Sequence, residues 1–193
     1  MRLIKDISSW CYKTVSPKLL IVSILLFVVF MMFILPEMAE RSKTITGMEQ
    51  SPDTSFIYST QDLYSMAEGY GAEGRSYYIK SRYTFDLAWP VVYLFFLVSS
   101  ITAVFRYFLP DSSWRLVNVL PFVGVIFDFL ENTTASIVMY RYPLPSPVIA
   151  ELAPIFTFLK WSFIGASIIA LFVGLSIQSL RVALINDIKI KQK

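Results

Sequence analysis

Asp128, Glu131 and Asn132 stand three and four residues apart inside one apolar stretch, Gly124-Val-Ile-Phe-Asp-Phe-Leu-Glu-Asn-Thr-Thr-Ala135. On a helix that spacing projects all three from one face, and Gly124 and Ala135 on the same stripe admit a close neighbour. In hydrocarbon each central acid opposes insertion by about 2.5 kcal/mol or more, against about 0.3 to 0.6 in favour for each Leu, Ile, Val or Phe. The polar face must therefore point inward and meet partners. Lys160, in a later apolar stretch, lies about as deep as Glu131 by the helical rise, so a Glu131–Lys160 pair is expected. One lysine cannot neutralise both acids, and two carboxylates three residues apart in low dielectric resist double ionisation. A proton, a cation or an arginine must complete the site; Arg75 or Arg141 could enter from outside, and Asp86 could add a third carboxylate. The alternative for Asp86 is an ordinary helix N-cap close to Pro90.

Three kinds of function fit such a cluster. It could bind or pass a proton, small cation or polar headgroup, as intramembrane ionisable groups often do. It could be a structural network that holds helices in register within an interaction or assembly subunit. It could hold a divalent cation on Asp128, Glu131 and Asn132 in a membrane enzyme, although phosphate-handling sites of that type carry more carboxylates and basic partners. Other chemistry is excluded by composition. With no histidine there is no Ser-His-Asp triad, no His-ligated haem or zinc and no HExxH helix. Cys11 is alone, so no intramolecular disulfide forms, and a small residue beside a membrane surface is a simpler reading of it than a palmitoylation site. A net charge of +3 without a basic, aromatic-interleaved stripe gives no nucleic-acid partner. No cofactor is implied.

The elements that must position these groups follow from apolar length. Of 193 residues 55% are hydrophobic and 16% charged, too little charge for an ordinary water-soluble globule. The apolar residues fall into spans at about 19–35, 86–109, 116–140 and 148–180, each long enough to cross a hydrocarbon layer of roughly 30 Å. Ser16-Pro17 introduces the first span and Pro36-Glu37 is expected to stop it; the leader is long and a small-residue cleavage site is missing, so the span reads as a retained anchor. Leu109-Pro-Asp-Ser-Ser113 is a short turn with a serine cap for the third span, and Tyr142 to Pro147 is another, with Ser146 as N-cap and Pro147 at the first helical position. Spans two, three and four should therefore be neighbours.

Residues 37–84 are the only substantial part outside these spans. Tyr58 to Gly69 reads as a short capped helix ended by glycine, and Gly71-Ala-Glu-Gly74 as a flexible turn. The segment is too small for its own core and should lie as a cap over the helix ends. Lys and Arg near the span ends gather on the side of both termini, among them Arg2, Lys5, Lys13, Lys18, Arg106, Arg115 and Arg181, so both termini are expected in the cytoplasm. The basic C-terminal tail prolongs the last helix, either on anionic lipid or solvated. Ser162, Ala166, Ala170 and Gly174 make a small-residue stripe suited to packing within one chain rather than to dimerisation.

Gly71-Ala-Glu-Gly74-Arg75-Ser-Tyr77, Asp86 with Pro90, Leu120-Pro121 leading into Asp128-Phe-Leu-Glu131-Asn132, and Lys160 beside Trp161 together resemble a family of small, functionally uncharacterised four-span microbial membrane proteins. The resemblance extends from the first loop onward. It implies a fold and a candidate site and brings no reaction. The expectation is an all-α protein, a single membrane domain over residues 1–193: an integral, antiparallel four-helix bundle with a long first extracytoplasmic loop, in a plasma or bacterial inner membrane. Asp128, Glu131, Asn132, Lys160, Asp86 and Arg75 are its candidate ligand or ion site, opening outward beneath that loop. The expected partners are the lipid bilayer and a proton, small cation or lipid headgroup; a protein partner is left open.

Overall fold

Among the described residues every regular element is helical. A computed structural model describes residues 2–109 and 112–191, with side chains as far as residue 183. Pro110 and Asp111 of the expected turn, and the basic side chains of the tail, lie outside the described residues. Four helical stretches are long and apolar enough to cross a membrane: Pro17–Thr46, Gly71–Phe105, Ser113–Arg141 and Pro147–Ala183.

The chain begins with α1 (Arg2–Thr14), an amphipathic helix in what reads from sequence as a mere polar leader. It buries Ser8 and Cys11 against a 3-10 turn at Ser113–Val119. The Ser8 and Tyr12 hydroxyls both donate to the Arg115 carbonyl at 3.2 Å, and Asn118 Nδ2 donates to Thr102 Oγ1 at 3.2 Å. Next comes α2 (Pro17–Val29), whose Ser16 cap accepts from the Leu19 N–H and whose Pro17 occupies the first turn, where its missing N–H is harmless.

Pro36 does not stop this helix, contrary to expectation. Residues Phe30–Ile34 widen into a π turn in which Leu35 N–H reaches the Phe30 carbonyl, and α3 (Leu35–Thr46) continues to Gly47. Proline removes one i→i−4 bond, and a local i→i+5 turn re-routes the ladder around the gap. Gly47, at φ 68°, closes α3 with a left-handed cap that a side chain would strain.

The segment between α3 and the second apolar helix is more helical than its composition suggests. A 3-10 turn at Pro52–Thr54 leads to α4 (Thr60–Gly69), begun by a capping box in which Ser59 and Asp62 satisfy each other's backbone N–H groups. Gly71 to Gly74 is no flexible turn: it opens α5 (Gly71–Arg82), with only Gly71 at positive φ. The break at Tyr83 and Thr84 is so short that α6 (Phe85–Phe105) follows almost at once, and Pro90 lies within α6 rather than in its first turn. After the 3-10 turn come α7 (Leu120–Arg141) and α8 (Pro147–Lys191), which pack along each other more extensively than any other pair. Ser146 does not cap α8 through its side chain. Its Oγ has no partner, while its N–H donates to the Tyr64 hydroxyl at 2.7 Å and so ties α4 to the α7–α8 turn.

Two apolar clusters hold the bundle. One joins α4, α5, α7 and α8 through Leu63, Met66, Ala67, Ala135, Met139 and Ala153. The other joins α6, α7 and neighbours through Tyr93, Leu97, Ile101, Phe105 and Val125. Between them, at residues 128–132 of α7 and 157–160 of α8, lies a polar layer. On α8 the buried stripe runs Ala153, Thr157, Lys160, Ser167, Gly174, whereas Ala166 of the expected stripe is exposed. Lys160 and Gly174 set the rotation of α8: the lysine needs burial against acids, and the glycine needs closeness to α6.

A Cβ at Gly174 would stand 2.6 Å from both Phe105 Cε2 and Val104 Cγ1. Gly174→Leu is therefore expected to lower unfolding stability in detergent by about 1–3 kcal/mol through overpacking. Stability equal to wild type would mean that α6 and α8 do not approach so closely.

Candidate functional site

The polar layer has an inner and an outer half. Three elements build the inner half. Residues 124, 128, 131, 132 and 135 recur at helical spacing on the buried face of α7, as their sequence spacing implies. Lys160 Nζ contacts Glu131 Oε2, with both side chains almost wholly buried at 4% and 0% exposure. That exposure decides the energetics, because a pair this dry gains most of its Coulomb attraction only if neither charge has water as an alternative. Asp128 is held from two sides: the Tyr93 hydroxyl donates to Oδ2 at 2.8 Å and Asn132 Nδ2 donates to Oδ1 at 3.3 Å. Tyr58, reaching over from the segment before α4, bonds Thr157 Oγ1 at 3.1 Å, one turn from Lys160. Burial pushes the Tyr58 hydroxyl well above the ordinary tyrosine range, so it remains a neutral donor.

The outer half is centred on Arg82, the last residue of α5. Its NH1 lies 2.9 Å from Asp86 Oδ2 and 3.1 Å from Asp53 Oδ2, and its guanidinium covers the Tyr78 ring at 4.5 Å. Asp53 comes from the 3-10 turn and also accepts from Ser51 Oγ. The two halves join at Asp53, whose backbone carbonyl accepts from Lys160 Nζ at 3.4 Å. Burial pushes the Asp53 carboxyl up, but the positive charges of Arg82 and Lys160 more than reverse this and hold it at about 2.

Of the sequence candidates, Asp128, Glu131, Asn132, Lys160 and Asp86 are all buried and contribute to this layer. Asp86 is not an N-cap. Thr84 precedes the helix, and Asp86 is turned inward because Arg82 sits four residues before it across the short break. Arg75 is not in the site: its NH1 donates to the Ala67 carbonyl at 2.8 Å and its guanidinium lies over the Tyr142 ring. Arg141 stays exposed. The arginine that the acids require is Arg82, which sequence reasoning missed together with Asp53 and Tyr93. An Arg-x-x-x-Asp spacing could have flagged Arg82; nothing local marks Asp53. Among the described residues no three Cys, Asp or Glu side chains are grouped to hold a metal ion.

A cavity of about 380 Å³ opens between α3, residues 48–54 and the α5–α6 break. Asp53, Arg82 and Asp86 line it, while Asp128, Glu131 and Lys160 do not. The cavity therefore meets the outer half of the layer and not Asp128. No known protein family, curated protein or solved structure matches the chain. The resemblance to small four-span membrane proteins rests on short motifs alone.

Proposed function

We propose that this chain is an integral membrane protein, an antiparallel four-helix bundle with both termini cytoplasmic, whose polar layer binds or passes a proton or small cation entering from the outer side. Membrane insertion is supported by four apolar helices and by large side chains such as Ile21, Leu25, Met32, Phe33, Ile169 and Phe172 turned outward, a belt that water would not tolerate. The function rests on one observation. Four buried or largely buried carboxylates, Asp53, Asp86, Asp128 and Glu131, face two basic groups, Arg82 and Lys160, and the cavity reaches two of those acids. A layer with that imbalance in low dielectric takes up positive charge.

The test is thermal unfolding of the purified protein from about pH 5 to 9 and in graded monovalent and divalent cations, for wild type and Asp86→Asn. If the folded layer holds a proton that the unfolded chain releases, stability falls as pH rises through this window, and a bound cation offsets the fall. Asp86→Asn should flatten both responses. A wild-type midpoint indifferent to pH and to every cation would remove the reading. A second reading has its own support: the inner pair, Glu131 with Lys160, is dry and reached by no part of the cavity. In that reading the inner half holds α7 and α8 in register for assembly, and only the outer half exchanges ligand.

A further inference from the structure

The cavity carries more information than its acids. Two residues of its lining carry a buried polar atom with no hydrogen-bond partner, the Tyr77 hydroxyl and Arg82 Nε, and a third, Asp86, has only Arg82 NH1, at 2.9 Å, beside its buried Oδ2. The Arg82 and Asp86 side chains are only 9% and 10% exposed, so bulk water does not serve them. Tyr77 and Nε are donors that call for an oxygen acceptor, and a buried donor left alone is unfavourable. Asp86 calls for the opposite. It shares one guanidinium with Asp53, so the outer half is one positive charge short, while at the rim Lys43 and Glu49 cancel each other and Glu40 adds a further carboxylate. The lining also includes apolar side chains, Leu35 and Met38 from α3 and Phe85 from α6.

We infer that this cavity binds the headgroup of a zwitterionic aminophospholipid of the phosphoethanolamine type. The phosphate oxygen accepts from Arg82 Nε and Tyr77, the primary ammonium pairs with Asp86, and the first carbons of the acyl region lie along Leu35, Met38 and Phe85. The volume is in the range of small-molecule sites. A primary ammonium can donate to Asp86, whereas a quaternary one has no N–H to give, so ethanolamine is preferred to choline. This rests on the proposed reading of the layer as short of positive charge, and it names the cation as the ligand's own amine.

The experiment uses the full chain in mixed micelles, with thermal midpoints and native mass spectrometry against phosphatidylethanolamine, phosphatidylcholine and soluble glycerophosphoethanolamine. Phosphatidylethanolamine should stabilise wild type at roughly tenfold lower mole fraction than phosphatidylcholine, and Tyr77→Phe, which leaves every ion pair intact, should lose roughly tenfold of that affinity. Asp86→Asn should erase the preference for ethanolamine over choline. Equal response to both lipids overturns the inference even where the pH dependence of the wild type persists, which separates its failure from failure of the layer reading. Stabilisation by glycerophosphoethanolamine as strong as by the lipid would assign the site to a soluble zwitterion and overturn the lipid assignment.

Discussion

Lys160→Met is expected to lower the stability of the detergent-solubilised protein by about 3–5 kcal/mol, the loss typical when one partner of a buried ion pair is removed. Lys160 and Glu131 are 3% and 0% exposed, so no water screens the carboxylate that remains. Glu131→Gln should destabilise less, because Lys160 keeps the Asp53 carbonyl as an acceptor. The double variant should return close to wild type, since an apolar or neutral pair of similar volume is often neutral or better. Unfolding titrations on the four proteins give the coupling energy directly. Single variants as stable as wild type would show that the pair carries nothing, and losses that simply add would show that the two residues act separately.

Arg82→Met should have an effect of similar size, about 3–5 kcal/mol at neutral pH, for a different reason. One guanidinium there holds two carboxylates from different segments, and without it the 3-10 turn carrying Asp53 loses its tie to α5 and α6. The pH dependence separates this from general loosening. Asp53 sits at about 2 in the folded protein against 3.8 as its ordinary value. Its folded value is lowered, so its contribution, about 2 kcal/mol, is present above pH 4 and is lost as pH falls from about 4 to 2. In Arg82→Met that acid limb should shrink by more than half, and Asp53→Asn should abolish it. Unfolding free energies measured near pH 5 and pH 2.5 decide the matter. An unchanged limb in Arg82→Met would mean that another group holds Asp53.

The inner half of the layer is legible in the sequence because its information is local. Spacing places Asp128, Glu131 and Asn132 on one face, and helical rise matches the depth of Glu131 to that of Lys160. The outer half is not, because Asp53 reaches Arg82 only through the fold of residues 47–84, a segment whose glycines read as turns. Gly71 and Gly74 are compatible with loop or helix. The close approach of Gly74 to Thr46, with a would-be Cβ at 3.2 Å from its Cα, is a tertiary reason that composition does not show. Arg82 is not among the sequence candidates, Arg75 and Arg141, because nothing in the chain marks which arginine turns inward. Pro36 misled for the opposite reason: its local rule is sound, and the π turn supplies the exception.

That π turn also changes the phase of the first long helix. Between Phe30, which stacks on Trp89 of α6, and Thr46, which touches α5, an unbroken α-helix advances sixteen residues (46 − 30) at about 100° each. That would leave Thr46 roughly 160° around the cylinder from Phe30, facing away from the neighbour it meets. The wider π turn slips the downstream half backward and lets one continuous rod serve two differently oriented surfaces. The rod therefore behaves like a keyed shaft, in which the angular setting at residues 30–34 determines which side chains of α3 are presented to the cavity wall.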